Sequence, residues 1–375
     1  MEEEVSKALG VEAWRLKGAI SRGTVRIQRD FHPHYLVFKK DMSPIERGTC
    51  VFLGDVIEVI RGFPKIRRAF YLKTALESHF GGSVAVEEKM NGYNVRCIRL
   101  GKRILALTRG GYICPYTTRK LREEKGIRNF FKENSDVLCG EVVGTENPYV
   151  VHSYEEVDGF GFFVFDIREK GTNVSRSIPE KYATLELYQI KGVRLFGIFQ
   201  KGESISKVIE EIERMALENR EGVVLKDPDM KIPPLKYTCS LANTGDLRHA
   251  FKFPYDYGRD FFFSRIIREG YQAVEFGEGK RELSERAARL GESILLPMVD
   301  TIQRILRGER VTEDFMIRVK TRGEIKEVIE HFEKQGVNCM VGSVKEVNGE
   351  LLVEIKRLRP ATNDKIKSTL IGKIG

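Results

Sequence analysis

No apolar run in this chain is long enough to cross a bilayer, no Cys-x-x-Cys pair occurs, and no Gly-x-x-x-x-Gly-Lys-[Ser/Thr] loop is present. Each absence removes a class of protein. Without a spanning run, and with Met1-Glu-Glu-Glu where a secretory signal would need basic and then apolar residues, the expectation is a cytoplasmic protein with no membrane partner. The six cysteines (Cys50, Cys97, Cys114, Cys139, Cys239 and Cys339) are scattered, so neither a zinc site nor a disulfide framework is expected, and they read as buried thiols. The missing glycine-rich loop argues against a P-loop phosphate site. Internal repeats, low-complexity tracts and sustained heptads are absent too.

What is present is a globular composition, with 41% hydrophobic and 31% charged residues. The net charge of +9 suits a polyanionic partner. A length of 375 residues leaves room for two to four domains.

Local patterning divides the chain. Glu2 to Ala19 is expected as a helix, followed by β-rich runs at Thr24–Gln28, Tyr35–Phe38 and Thr49–Leu53. These form a small N-terminal module, residues 1–61. Val59 to Ile66 reads as an extended arm and Arg67 to Ser78 as a helix. Val84 to Lys89 alternates as a strand does, and Gly92 then marks a tight turn. Tyr93–Leu100 and Ile104–Thr108 form a hairpin whose Arg96, Arg99, Lys102 and Arg103 read as a solvated face. A basic helix broken at Gly126 covers Thr118 to Asn134. Further strands are expected at Val137–Gly144, Gly161–Ile167, Arg220–Lys226 and Pro233–Thr238. Between them a helix from Ser204 to Asn219 turns Ile205, Val208, Ile209, Ile212 and Ala216 to the core. Phe261 to Arg307 is helical with a break near Gly277, and Phe261-Phe-Phe263 reads as core or subunit interface. The remainder runs strand, helix, hairpin, with Asn348-Gly349 as the hairpin turn.

Lys89, Glu141, Glu221 and Lys236 each interrupt an otherwise apolar strand, and Asp166 closes a fifth. A single such charge usually marks a solvent face or edge. Five in one region could instead converge on one groove, provided that their strands share a sheet. Nucleotidyl transfer needs that equipment: an amine nucleophile, carboxylates for a divalent cation, a second cation for the phosphate and an aromatic face for the base. Lys89, Glu141, Glu221, Lys236 and Phe165 supply these parts.

The ordered motifs Lys89-Met-Asn-Gly92, Leu138-Cys-Gly-Glu141, Phe163-Val-Phe165-Asp166, Glu221-Gly-Val-Val-Leu-Lys226 and Leu235-Lys236-Tyr237 resemble those of the covalent lysyl-nucleotidyltransferases. That superfamily comprises ATP-dependent DNA ligases, RNA ligases and mRNA capping enzymes. DNA ligases and capping enzymes typically read Lys-x-Asp-Gly-x-Arg at the nucleophile, whereas this chain has Asn91 and Asn94 at the Asp and Arg places. Asn94 and the approach Arg61-Gly-Phe-Pro64-Lys65 resemble the RNA ligases. A helical tract after the last motif, where an OB barrel would stand in the other two groups, is similar to the archaeal ATP-dependent RNA ligases.

The resemblance implies an α+β fold. A central nucleotidyltransferase domain (62–246) would hold antiparallel sheets of ATP-grasp-like form, followed by a helical dimerisation domain (247–312) and a C-terminal α+β domain (313–375). It implies ATP as cofactor with Mg2+ or Mn2+, single-stranded RNA with 5′-phosphate and 3′-hydroxyl ends as partner, and a homodimer. By motif position, Lys89 takes AMP, Glu221 engages the metal and its water shell, and Lys236 contacts the α-phosphate. Arg109 contacts ribose or a substrate phosphate, Glu141 binds ribose or metal, Phe165 (or Phe163) stacks on adenine, and Asp166 braces the site. Glu87 and Glu88 lie near the adenine, and Asn94 orients pyrophosphate or a metal-bound water. One departure stands out. The last motif often reads Lys-x-Lys, and here it reads Lys236-Tyr-Thr238, so Lys226 or Lys252 would have to replace the second cation. A DNA ligase or capping-type guanylyltransferase is the alternative within the superfamily, and a non-catalytic RNA-binding protein the alternative outside it.

Overall fold

Gly10, at φ +65°, ends the first helix, so the stretch expected as one helix is two: α1 (Glu2–Leu9) and α2 (Ala13–Ser21). The structure is a computed structural model that describes residues 2–373. Strands β1 (Val25–Gln28), β2 (Tyr35–Phe38), β3 (Cys50–Leu53) and β4 (Ile57–Ile60) follow. Part of the expected extended arm is thus a strand, because Ile57 to Ile60 pair antiparallel with β3. Arg67–Arg68 form the short β5, which delays the expected helix to α3 (Leu72–His79).

Next come β6 (Val84–Lys89), β7 (Tyr93–Leu100), β8 (Arg103–Thr108), α4 (Pro115–Glu123), α5 (Lys125–Glu133), β9 (Val137–Val143) and β10 (Gly161–Arg168). The basic helix breaks at Glu124, which is extended, and not at Gly126. Gly126 lies inside α5, where a Cβ would stand 2.5 Å from the Tyr188 carbonyl oxygen; close packing, not a bend, requires glycine there. The chain continues through α6 (Ile178–Tyr188), β11 (Leu195–Phe199), α7 (Lys201–Leu217), β12 (Gly222–Lys226), β13 (Leu235–Thr238), α8 (Ser240–Phe251), α9 (Arg259–Glu275) and α10 (Lys280–Leu306). It closes with β14 (Thr312–Val319), α11 (Arg322–Lys334), β15 (Cys339–Val347), β16 (Glu350–Leu358) and α12 (Pro360–Leu370). Asn348 and Gly349, at φ 52° and 78°, make the two-residue turn of the last hairpin.

The chain groups into two compact units. One comprises Met1–Lys65, Gly92–Val193 and Val319–His331. It holds the sheet β1-β2-β3-β4, whose inner face packs with α1 and α2 through Val5, Leu16, Leu36 and Phe38. It also holds the sheet β10-β9-β7-β8, which buries Val95, Leu138 and Val164 against Leu121, Phe130 and Leu185 of α4, α5 and α6. The second unit comprises Ile66–Asn91, Arg194–Arg318 and Phe332–Gly375. Its five-stranded sheet, β11-β6-β12-β13-β5, is antiparallel except for the β13–β5 pair. Val84, Val86, Val223, Leu225, Leu235 and Tyr237 of that sheet pack against α3 and α7. Val208 and Ile212 of the predicted apolar face of α7 are fully buried there, and Ile205, Ile209 and Ala216 lie against the same core. Burial of this kind contributes about 1.5–3 kcal/mol per large aliphatic side chain.

Arg96 departs from the solvated hairpin face expected of it. It is 1% exposed and donates to the backbone carbonyls of Arg61, Gly48 and Thr108. The reason is that the backbone at Gly48 and Arg61 lies over this face of β7, so the guanidinium is buried against their carbonyls and serves them. The five cysteines from Cys50 to Cys239 are buried, and all six thiols are free. Replacing Arg96 by Met should destabilise the protein by roughly 2 kcal/mol or more, because buried carbonyls lose their donors. Thermal melts of the two proteins measure the difference.

Candidate active site

The register of the five-stranded sheet sorts its side chains. Val84, Val86, Val223, Leu225, Leu235 and Tyr237 face the helices. Side chains point alternately, so Glu87 and Lys89 of β6, Lys226 of β12 and Lys236 and Thr238 of β13 occupy the other face. Two cross-strand rows result. Glu87 pairs with Val224, Val224 with Lys236, and Lys236 with Arg68 of β5. One row further along, Lys89 pairs with Gly222 and Gly222 with Thr238.

Gly222 has φ +144°, and a Cβ on it would stand 2.3 Å from the Tyr237 carbonyl oxygen. Only glycine fits, and its missing side chain leaves the row open between Lys89 and Thr238. Glu221, just before it, turns its Oε2 to within 2.6 Å of Lys89 Nζ. The amine and the carboxylate are both partly accessible, at 20% and 15%. Lys226 and Glu87, in contrast, are almost wholly buried and meet at 2.7 Å. Glu88 points to the opposite face, where Arg220 Nη1 at 3.0 Å and Arg194 Nε at 3.3 Å hold it.

Arg68 was not singled out by the sequence. Desolvation lowers the pKa of its guanidinium; Arg265 lowers it further, while Glu221 and Asp246 oppose the drop. The interaction with Glu221 puts Arg68 in the electrostatic neighbourhood of the Lys89 pair.

The remaining candidates lie in the other unit, on the sheet β10-β9-β7-β8. The expected charges therefore stand on two sheets and not on one. Asn94 pairs with Glu141, and Glu141 with Phe163, so these three share a row and a face. The register slips between Val164 and Asp166, which lets Asp166 join the Glu141 face through its partner Cys139. Phe165 sits in that irregularity. Lys181 Nζ donates to its carbonyl at 2.9 Å, and its ring meets Phe63 edge-on at 5.1 Å. Buried Asp166 accepts from Arg168 at 3.2 Å, and Arg168 in turn lies over the Phe63 ring. Arg109 follows β8. Desolvation lowers its pKa and the carboxylate of Glu141 works against that, so the two charges are neighbours.

Gly92 is a further correction. Its necessity comes from a close approach, because a Cβ would stand 2.1 Å from the Val142 carbonyl oxygen of β9. Among the described residues no cluster of three or more His, Cys, Asp or Glu could hold a metal ion. Glu221 and Glu141 are single carboxylates on separate sheets. Such donors suit a hard cation that keeps most of its waters and binds mainly through a substrate's phosphates.

The Lys226–Glu87 pair yields a stability test. Lys226→Met should cost about 3–5 kcal/mol by stranding a buried carboxylate, whereas Lys226→Met with Glu87→Leu should recover most of that loss. Denaturant titration of the single and double variants measures both.

The whole chain resembles known proteins. A family model described as RNA ligase matches residues 82–238, and one described as Ligase Pab1020 C-terminal region matches residues 249–373. An uncharacterised protein of Methanocaldococcus jannaschii is 40% identical over 379 residues, covering 99% of this chain and 96% of the relative. Solved structures of an archaeal ATP-dependent RNA ligase, in two forms, are 44% identical and cover 100% of this chain and 99% of theirs, with TM-scores of 0.94 and 0.95. A chain of Aquifex aeolicus with a provisional ATP-dependent DNA ligase designation is 29% identical, with a TM-score of 0.89 and coverage of 97% and 100%. Matched over its whole length at 44% identity, the chain belongs to the archaeal ATP-dependent RNA ligases.

Proposed function

We propose that the protein joins or circularises single-stranded RNA with 5′-phosphate and 3′-hydroxyl ends, through a lysyl-AMP and an RNA-adenylate intermediate. The observation that carries this reading is the Lys89 amine, 2.6 Å from Glu221 on a sheet face that also bears Lys236 and Arg68. In the first step Lys89 Nζ loses a proton, for which Glu221 Oε2 is the acceptor in reach, and attacks the α-phosphorus of ATP. A P–N bond forms, and the bond to the bridging oxygen breaks as pyrophosphate leaves. Next, an oxygen of the RNA 5′-phosphate takes the adenylyl group from Lys89, and the amine is restored. Finally, the 3′-hydroxyl attacks the activated 5′-phosphate, giving a phosphodiester bond and free AMP.

Lys236 balances charge on the phosphate under attack. The other roles follow motif position: Phe165 stacks on adenine, Glu141 and Arg109 engage ribose or phosphate, Asn94 orients pyrophosphate, and Asp166 braces the site. The side chains of Glu87 and Glu88 are held in ion pairs, which favours backbone contact with the adenine there. By motif position Glu221 and Glu141 are the carboxylates that would engage Mg2+ or Mn2+, which would neutralise phosphate charge. We place the protein in the cytoplasm; among the described residues no helix is long and apolar enough to cross a membrane.

The Aquifex relative favours a second reading, the sealing of nicked DNA. Incubation with each labelled ribonucleoside triphosphate should give a covalent adduct from ATP alone, and Lys89→Ala should abolish it. Sealing of single-stranded RNA in preference to nicked duplex DNA separates the two readings. A GTP adduct, or an undiminished adduct in the variant, would refute the first.

A homodimer is part of the same proposal. Helices α9 and α10 leave Phe263, Val274, Leu295, Leu296, Val299 and Leu306 between 40% and 74% exposed, an apolar surface that suits a second copy of the chain. Sedimentation should give twice the monomer mass, and Leu295→Glu with Val299→Glu should halve it.

A further inference from the structure

The strand that carries Lys236 ends on Thr238, where a second cation was expected, and neither proposed substitute is well placed for that role. Lys226 is committed to Glu87 at 2.7 Å, and Lys252 is exposed beyond the end of α8. An arginine reaches Thr238 instead. Arg268 of α9 is 7% exposed, and its Nη1 donates to Thr238 Oγ1. Its Nε donates to the Ser264 carbonyl at 3.2 Å. Its Nη2 is buried and has no hydrogen-bond partner. A buried guanidinium nitrogen left unpaired is costly, and it is the kind of donor that an anionic ligand completes.

The surroundings favour that reading. Thr238 shares its row with Lys89, two strand spacings or roughly 10 Å away. Gly222 stands between them and carries no side chain to block the row. Beside Arg268 is a crevice lined by Phe70, Tyr237, Thr238, Asn243, Gln272 and the carboxylate of Glu269. The adjacent carboxylates are already engaged. Glu269 accepts from Arg286, from Ser240 Oγ at 2.6 Å and from Asn243, while Asp246 accepts from Arg265 at 2.6 Å. The charge of Arg268 is therefore not consumed by a neighbouring acid.

We propose that Arg268, oriented by Thr238, supplies the phosphate-directed cation that the last lysine-bearing strand lacks at position 238. The ligand is a phosphate of the nucleotide that Lys89 attacks, and the inference rests on that functional reading. Arginine offers what a lysine at position 238 would not: one nitrogen fixes the side chain on Thr238 while another faces the anion.

The test is single-turnover formation of lysyl-AMP at saturating ATP. Arg268→Gln should slow it by roughly 10²-fold, the cost of losing one preorganised donor to a developing charge. Adding Thr238→Lys to that variant should restore at least about tenfold, by returning the ammonium seen at this place in related motifs. Thermal melts run alongside should show the same loss of stability in both variants, which a purely structural Arg268 would not separate from the rate. Thr238→Val, a near-isosteric change that leaves the arginine untethered, should slow the step about tenfold and keeps the question answerable should Arg268→Gln fail to fold. A rate within about twofold of the unmodified protein in Thr238→Val or in folded Arg268→Gln overturns the proposal. So does a folded double variant as slow as Arg268→Gln alone. Failure of the unmodified protein to form any adduct would instead overturn the ligase reading, and this inference with it.

Discussion

The hydrogen-bonded ion pair between Lys89 and Glu221 is the constraint around which the second unit is arranged. A lysine is a useful nucleophile only when its proton has somewhere to go, and a carboxylate at 2.6 Å is that place. Yet the same carboxylate favours the charged, unreactive amine while it remains an anion. In the proposed reaction, attack requires the pair to be loosened as substrate arrives, with positive charge drawn in with the triphosphate competing for Glu221 and with Lys236 and Arg68 taking up phosphate charge on the same face. Gly222 makes the pairing possible. Its left-handed backbone turns Glu221 back towards Lys89, and its bare Cα leaves room beside the amine.

The site is built from ordinary β-sheet geometry. Alternation in β6, β12 and β13 sends apolar side chains to α3 and α7 and charged ones to the opposite face. In the other unit the slip at Phe165 performs a similar sorting, allowing Phe163 and Asp166 to share the Glu141 face although they are three residues apart. Lys181 and Arg168 hold that slip in place, through the Phe165 carbonyl and the Asp166 carboxylate. They touch groups that the motifs assign to the nucleotide.

Strands with strict alternation and helices with continuous apolar faces were legible from residues alone, as β6, β9, β10 and α7 illustrate. Helices α6 and α8 were not, and for one reason. Their inward positions include Lys181 and Thr184 in the first and Asn243 and Thr244 in the second, so hydrogen-bonding side chains interrupt the apolar period. β5 was hidden because two arginines carry no strand signal; only pairing with β13 makes them one. Arg96 looks solvated in the sequence because a hairpin seen alone does not reveal that the backbone at Gly48 and Arg61 closes over it. The motif lysines and acids are proposed from their order in the sequence. Arg68 and Arg268 lie outside any motif, and tertiary structure alone brings them to Lys236 and Thr238. The condition of one shared sheet is not met, because the chain passes to the other unit just after Lys89, between Asn91 and Gly92.

The nucleophile's identity bears most of the weight, and peptide mapping addresses it directly. The protein would be incubated with ATP and a divalent cation, digested, and each lysine-containing peptide weighed. The mass of one AMP should appear on the peptide containing Lys89, through a bond labile in acid and stable in alkali as a phosphoramidate is. AMP on Lys226, Lys236 or any other lysine, with Lys89 unmodified, would contradict the account.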